Sequence, residues 1–222
     1  MLKRFVDLRI HPPYQNGISL EKMARMAYEL GFSLAGLVFE SHATTEQVAE
    51  ARAVFRTYGV DTATRINLAP RSKNELLQAL RRHRKFFELI GVDCASRAVA
   101  LVAARDRRVD LLTFRPETYG VNLQRSIAHV CRAGLEVDLS RLIYPTDSRP
   151  ASLEALRREA AIAIENRLRV VLSSGAPDSL RLRAPLELAA LSTLIGLSFE
   201  GGLNSISQIP LDMVRRNREK MH

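Results

Sequence analysis

Two hydrophobic rhythms take turns along this chain. In one, apolar residues recur three and four positions apart, as on a helix; in the other, they form short continuous runs, as in a buried strand. Leu20, Met23, Ala24, Ala27 and Tyr28 mark a first helical face behind Ser19, a candidate N-cap, and Gly31 closes it. The strand run LAGLVFE follows and ends at Glu40. Val48, Ala51, Phe55 and Tyr58 mark the next helix, with Thr44 and Gln47 in capping-box spacing and Gly59 as its stop, and TATRINL is the half-buried strand after it. Ser72 and Glu75 open a third helix through Leu76, Leu77 and Leu80. It ends in the basic run Arg81, Arg82, His83, Arg84, Lys85, where positive charge suits the helix dipole.

The alternation continues to the C-terminus. FFELIGV is read as strand four, Ala95, Ala98, Val99 and Val102 as a small-residue helix, and VDLLTF at 109–114 as strand five. A helix from Asn122 leads through Gly134 into LEVDL, and a long helix over 151–167 leads into RVVLSS. Pro185 suits the first turn of another helix, LSFE is read as an eighth strand, and Pro210 starts a basic terminal helix. So many strand–helix units with short crossovers predict an α/β fold: one TIM-barrel-like domain over residues 1–222, irregular near its last strand. A doubly wound open sheet is the competing arrangement.

Composition narrows the classes. At 222 residues and 46% hydrophobic, the chain can bury one substantial core. Two cysteines, Cys94 and Cys131, fall within apolar patterns and make neither a disulfide framework nor a metal motif. No apolar stretch is long enough to cross a membrane and the N-terminus has no signal-like pattern, so the expected location is intracellular. The net charge of +9 comes mostly from arginine, since only Lys3, Lys22, Lys73, Lys85 and Lys220 are lysines among 33 basic residues. Guanidinium groups suit a structured anionic partner, although general arginine enrichment explains the count as well.

In a barrel, chemistry belongs at the C-terminal ends of the strands. Those ends read Asp7, Arg9 and His11; Glu40 and His42; Arg65 and Asn67; Glu88 and Asp93; Thr113 and Arg115; Glu136 and Asp138; Ser173 and Ser174. The alternation of side chains puts Asp7 with Arg9 and Glu136 with Asp138, and an adjacent arginine in such a set can simply hold a carboxylate ionised. A metal-dependent hydrolase built on Asp7, His11, Glu40 and Asp138 is one reading, but the histidines are too few for a rich metal site. Ser173 and Ser174 lack a nucleophile elbow, and no glycine-rich phosphate loop is present. The amides near Gly175, with the hydroxyls of Ser173 and Ser174, can cradle a phosphate, and Arg181 and Arg183 follow closely.

VDL near the N-terminus, VDLLTF, AHVCRAGLEVDLSRLI at 128–143 and VVLSSGAPDSLRLRAPLELAALSTLIGLS at 170–198 together resemble the ribonuclease P family of archaeal protein component 3 and the thirty-kilodalton eukaryotic subunit. The resemblance spans essentially the whole chain. It implies a barrel related to the polymerase and histidinol phosphatases and an accessory role in an endonuclease ribonucleoprotein that removes the 5′ leader of precursor tRNA in the cytoplasm. It also implies that the RNA subunit performs the cleavage with magnesium, and that this chain binds no metal and pairs with companion protein subunits. The first strand has Asp7, Leu8 and Arg9 where the phosphatases carry a His-x-His pair, which argues against a self-contained metal-dependent phosphoesterase. Arg65, Arg115, Ser173, Ser174, Arg181 and Arg183 are then the candidate RNA contacts, with Arg81, Arg82 and Arg84 as a second basic patch. Helices around 122–132 and 186–195 are the candidate companion-protein surfaces.

Overall fold

The computed structural model describes residues 4–14, 16–144 and 149–221. Among the described residues seven strands are formed: β1 (Phe5–Ile10), β2 (Phe32–Phe39), β3 (Asp61–Leu68), β4 (Leu89–Asp93), β5 (Leu111–Thr113), β6 (Gly134–Asp138) and β7 (Val170–Ser173). They lie in sequence order and every neighbouring pair is parallel, so each link is a crossover. The helices are α1 (Gly17–Glu29), α2 (Thr45–Thr57), α3 (Lys73–His83), α4 (Arg97–Arg105), α5 (Pro116–Tyr119), α6 (Arg125–Ala128), α7 (Ser140–Ile143), α8 (Arg149–Glu165), α9 (Pro185–Thr193), α10 (Phe199–Ser205) and α11 (Gln208–Met221).

Local signals set most boundaries. Thr44 and Gln47 form the expected reciprocal cap on α2, and the Ser72 side chain caps α3. On α1 the cap is Asn16, whose side chain accepts from the Ser19 amide, so Ser19 lies in the first turn. The expected eighth strand does not exist among the described residues. Ser198 instead caps α10, and Gly202 lets that helix approach α9 so closely that a Cβ there would strike the Ser192 hydroxyl and the Ala189 carbonyl.

Seven strands therefore nearly close the barrel. At the upper end of the seam, Ile10 bridges to Ala176 and the His11 amide donates to the Ala176 carbonyl at 2.9 Å. At the lower end, the Val6 amide donates to the Ile206 carbonyl at 2.8 Å, just before α11. Helix α11 then caps the bottom. Leu211, Met213 and Val214 pack against Val6, Leu34, Ala63, Leu89, Leu111 and Val171, the lowest inward layer of the strands. Polar contacts lock the cap: Asn217 donates to the Glu88 carbonyl and to Asp110, and Arg218 reaches Asp61 and Glu88. Glu88, expected on the upper rim, therefore lies at the lower end, because β4 begins after it.

Strand β1 is irregular where it matters. Its register against β2 shifts between Asp7 and Ile10, and the Leu8 backbone leans against Gly36. A Cβ at Gly36 would collide with the Leu8 backbone, and backbone cannot yield as a side-chain end can. Gly36→Ala is expected to cost about 1–3 kcal/mol and to lower Tm by about 2–4 °C per kcal/mol, measured by calorimetry.

Candidate functional site

Above the lowest apolar layer, the barrel interior is polar. The alternation that buries Ala63 also aims Arg65 inward, and Arg65 is fully buried. Its Nη1 and Nη2 each lie 2.6 Å from a different carboxylate oxygen of Glu136, Nη1 also donates to the Leu8 carbonyl, and Nε donates to Asn67. Gly91 leaves room for this fork: a Cβ there would stand 2.7 Å from both Arg65 Nη2 and Asn67 Oδ1. The expectation that Arg65 faces RNA is corrected, since it sits mid-strand and its guanidinium is committed inside the barrel.

Arg9 adds a second cation to the same carboxylate. Its Nη1 is 2.9 Å from Glu136 Oε2, which also accepts from the Thr113 hydroxyl, and Asp93 and Asp138 lie 3.6 and 3.7 Å from the guanidinium. Arg115 reaches Asp138 from the rim. Burial would raise both carboxylates, but Arg65 and Arg9 outweigh it and hold Glu136 far below the ordinary range. Arg9 and Arg115 likewise hold Asp138 low. Asp7 points elsewhere, accepting from the Ser174 and Arg9 amides, and burial pushes it up to about 6. Burial, followed by the charges of Arg9 and Arg65, pushes His11 down to about 4.

The remaining expected site residues divide by exposure. Ser173 and Ser174 are buried; the Ser174 hydroxyl accepts from the Ala176 amide, so neither hydroxyl stands on an outer surface. Their strand end turns inward to meet Asp7, and the expectation of an RNA-facing pair is corrected for that reason. Arg181 and Arg183 are on the rim. The Arg181 guanidinium lies over the Tyr144 ring at 4.9 Å and 3.6 Å from Asp178, and Arg183 donates to the Leu180 and Leu182 carbonyls. Glu40 is exposed.

Does this interior suit the metal that hydrolytic barrels carry? It does not. Among the described residues, no three His, Cys, Asp or Glu side chains are grouped to hold an ion. Asp93, Glu136 and Asp138 already face guanidinium groups, and within that network the buried polar atoms left without a partner are Nε of Arg9 and of Arg115, donors that no cation can use. The four-residue set Asp7, His11, Glu40 and Asp138 is not assembled.

A nearly closed parallel α/β barrel whose mouth is filled by arginine–carboxylate pairs defines the class: a TIM-barrel-like α/β protein. Among known proteins, the family described as RNase P subunit p30 matches residues 4–222. The chain belongs to that family. It is 27% identical to ribonuclease P protein component 3 of Methanococcoides burtonii, covering 97% of this chain and 89% of that relative. It is 25% identical to the component 3 protein of Methanosarcina barkeri, over 97% and 90%. In fold it is similar to a chain in a cryo-electron microscopy structure of archaeal ribonuclease P with mature tRNA, at a TM-score of 0.81, 15% identity and coverage of 96% and 91%. It is also similar to a dihydroorotase from Campylobacter jejuni, at a TM-score of 0.53, 14% identity and coverage of 96% and 84%.

Two outcomes follow from the interior network. Glu136→Ala leaves two buried guanidiniums undercompensated and is expected to cost about 3–5 kcal/mol; the double variant Arg65→Met/Glu136→Leu should lose less than the two single changes together in urea titrations. His11 takes up its proton more readily when unfolded, near pH 6.5, than when folded, near 4. Its contribution is therefore fully favourable above pH 6.5 and is lost as pH falls towards 4. His11→Asn should shrink the fall in Tm between pH 7.5 and pH 5 by at least about 2 °C.

Proposed function

We propose that this chain is a non-catalytic accessory subunit of ribonuclease P, which supports cleavage of the 5′ leader from precursor tRNA without a metal of its own. The observation that carries the reading is the Arg65–Glu136–Arg9 network. It occupies the volume where hydrolytic barrels hold metal and substrate, and it takes up both carboxylate oxygens of Glu136. Cleavage then belongs to the RNA subunit and its magnesium. Family membership supplies the particle, and the similarity to a chain of archaeal ribonuclease P with tRNA supports placing RNA and companion proteins around this barrel.

Rim cations Arg115, Arg181 and Arg183 are the remaining upper contacts to RNA phosphates. Companion-protein contact suits α9, where Leu186 and Leu194 are exposed; the 122–132 segment is less suited, since Ile127 and Ala128 are buried. Among the described residues no helix is long and apolar enough to cross a membrane, and both cysteines are free thiols, which suits the reducing cytoplasm.

Reconstitution tests the reading. The isolated chain should leave precursor tRNA intact at any magnesium concentration, and its omission from an otherwise complete enzyme should slow cleavage or raise the magnesium requirement. Cleavage by the chain alone, or an enzyme indifferent to its omission at every magnesium concentration, would overturn the proposal.

A further inference from the structure

The end of the barrel opposite the mouth carries the larger concentration of available positive charge. An open groove of about 810 Å³ lies between the C-terminal ends of α3 and α11 and the loop entering β5. Its cations are Arg81, Arg84, Lys85, Arg107, Arg108 and Lys220, and no acidic residue lines it. Arg84 and Arg108 are held from behind by Asp110 and Asp106. Arg81, Lys85, Arg107 and Lys220 are exposed and have no salt-bridge partner among the described residues, in contrast to the rim, where Arg181 and Arg115 are paired with Asp178 and Asp138. Coulomb repulsion among Arg81, Lys85, Arg107 and Lys220 is offset by no ion pair among the described residues, which points outward to a polyanion.

We infer that this lower groove is a binding surface for an RNA phosphate backbone, separate from the mouth. The inference rests on the ribonuclease P reading and names a second RNA-facing surface within it. Three features favour RNA over a single small anion or an acidic protein. The groove far exceeds the space of one phosphate. Its free cations come from three separate chain segments, α3, the α4–β5 loop and α11, so they span several phosphates and do not converge on one point. Beside them stands Phe86, 62% exposed, with the Lys85 ammonium 4.8 Å from its ring centre. An exposed aromatic flanked by cations is a stacking platform for an unpaired base. The groove is rigidly seated, because Asn217 and Arg218 anchor α11 to the starts of β3, β4 and β5.

The test measures binding of the full chain to ribonuclease P RNA across a salt series, with reconstituted cleavage in parallel. The groove set Arg81→Glu, Lys85→Glu and Arg107→Glu alters exposed side chains and should keep the wild-type Tm. Its affinity is expected to fall roughly tenfold or more, and the slope of log K against log salt to shrink by about 2–3, since each lost phosphate contact removes about 0.7–0.9. A control set with the same charge change, Arg25→Glu, Arg52→Glu and Arg56→Glu on α1 and α2, should fall less than about threefold. Phe86→Ala should weaken binding with the slope unchanged, because stacking releases no counterions. Equal losses in the two sets, or wild-type affinity and slope in the groove set, would overturn the groove alone. So would intact RNA binding with loss of a companion protein in co-precipitation. A wild-type chain that neither binds the RNA nor supports cleavage would overturn the ribonuclease P reading itself.

Discussion

The structure depends on a charge buried at the centre of a barrel. A guanidinium with no exposure at all, Arg65, is tolerable only because Glu136 meets it through two hydrogen bonds and because Leu8 and Asn67 take its other donors. Burial of an ion costs several kcal/mol unless its partner and geometry compensate. That requirement reaches outward through the fold. Gly91 must lack a side chain beside the fork, Gly36 must admit the Leu8 backbone, and the register of β1 shifts as the strand bends in to offer its carbonyl and to send Arg9 across the barrel.

The same network sets the chemistry of the barrel interior. Hydrolytic barrels keep inward carboxylates and imidazoles available for a metal; here Arg65, Arg9 and Arg115 hold Glu136 and Asp138 low, and burial with the charges of Arg9 and Arg65 pushes His11 down. Positive charge has in effect been built into the chain where a cation would otherwise bind. The lower end, usually the face of a barrel that serves stability, carries the exposed cations that the mouth has paired away.

Periodicity made most of the fold legible. The runs TATRINL, LEVDL and RVVLSS fall on β3, β6 and β7, and the caps at Thr44 and Ser72 open α2 and α3 as read. LSFE misled because its two apolar residues, Leu197 and Phe199, alternate with Ser198 and Glu200 over too short a run to fix a period, and the Ser198 cap with the close fit of Gly202 settled it as helix. Arg65 carried a signal in the sequence, since it lies mid-run on the face of Ala63 and Asn67, and the strand glycines Gly36 and Gly91 mark close approach. The lower groove also left a trace. Basic residues recur just before successive strands, at Lys85, Arg107 and Arg108, Arg132 and Arg169, a pattern invisible when only strand ends are searched for chemistry.

The amino-acid sequence by itself determined the alternating strands and helices, most of their caps and a first strand without a His-x-His pair. These are local properties, written within a few residues. Only the tertiary structure decided which arginines are buried scaffolding and which are exposed. Arg65 finds its partner Glu136 seventy-one positions away across the barrel, whereas Arg81 and Arg107 find none among the described residues. Charge has no periodicity, so the role of each guanidinium is settled by what the folded chain places opposite it.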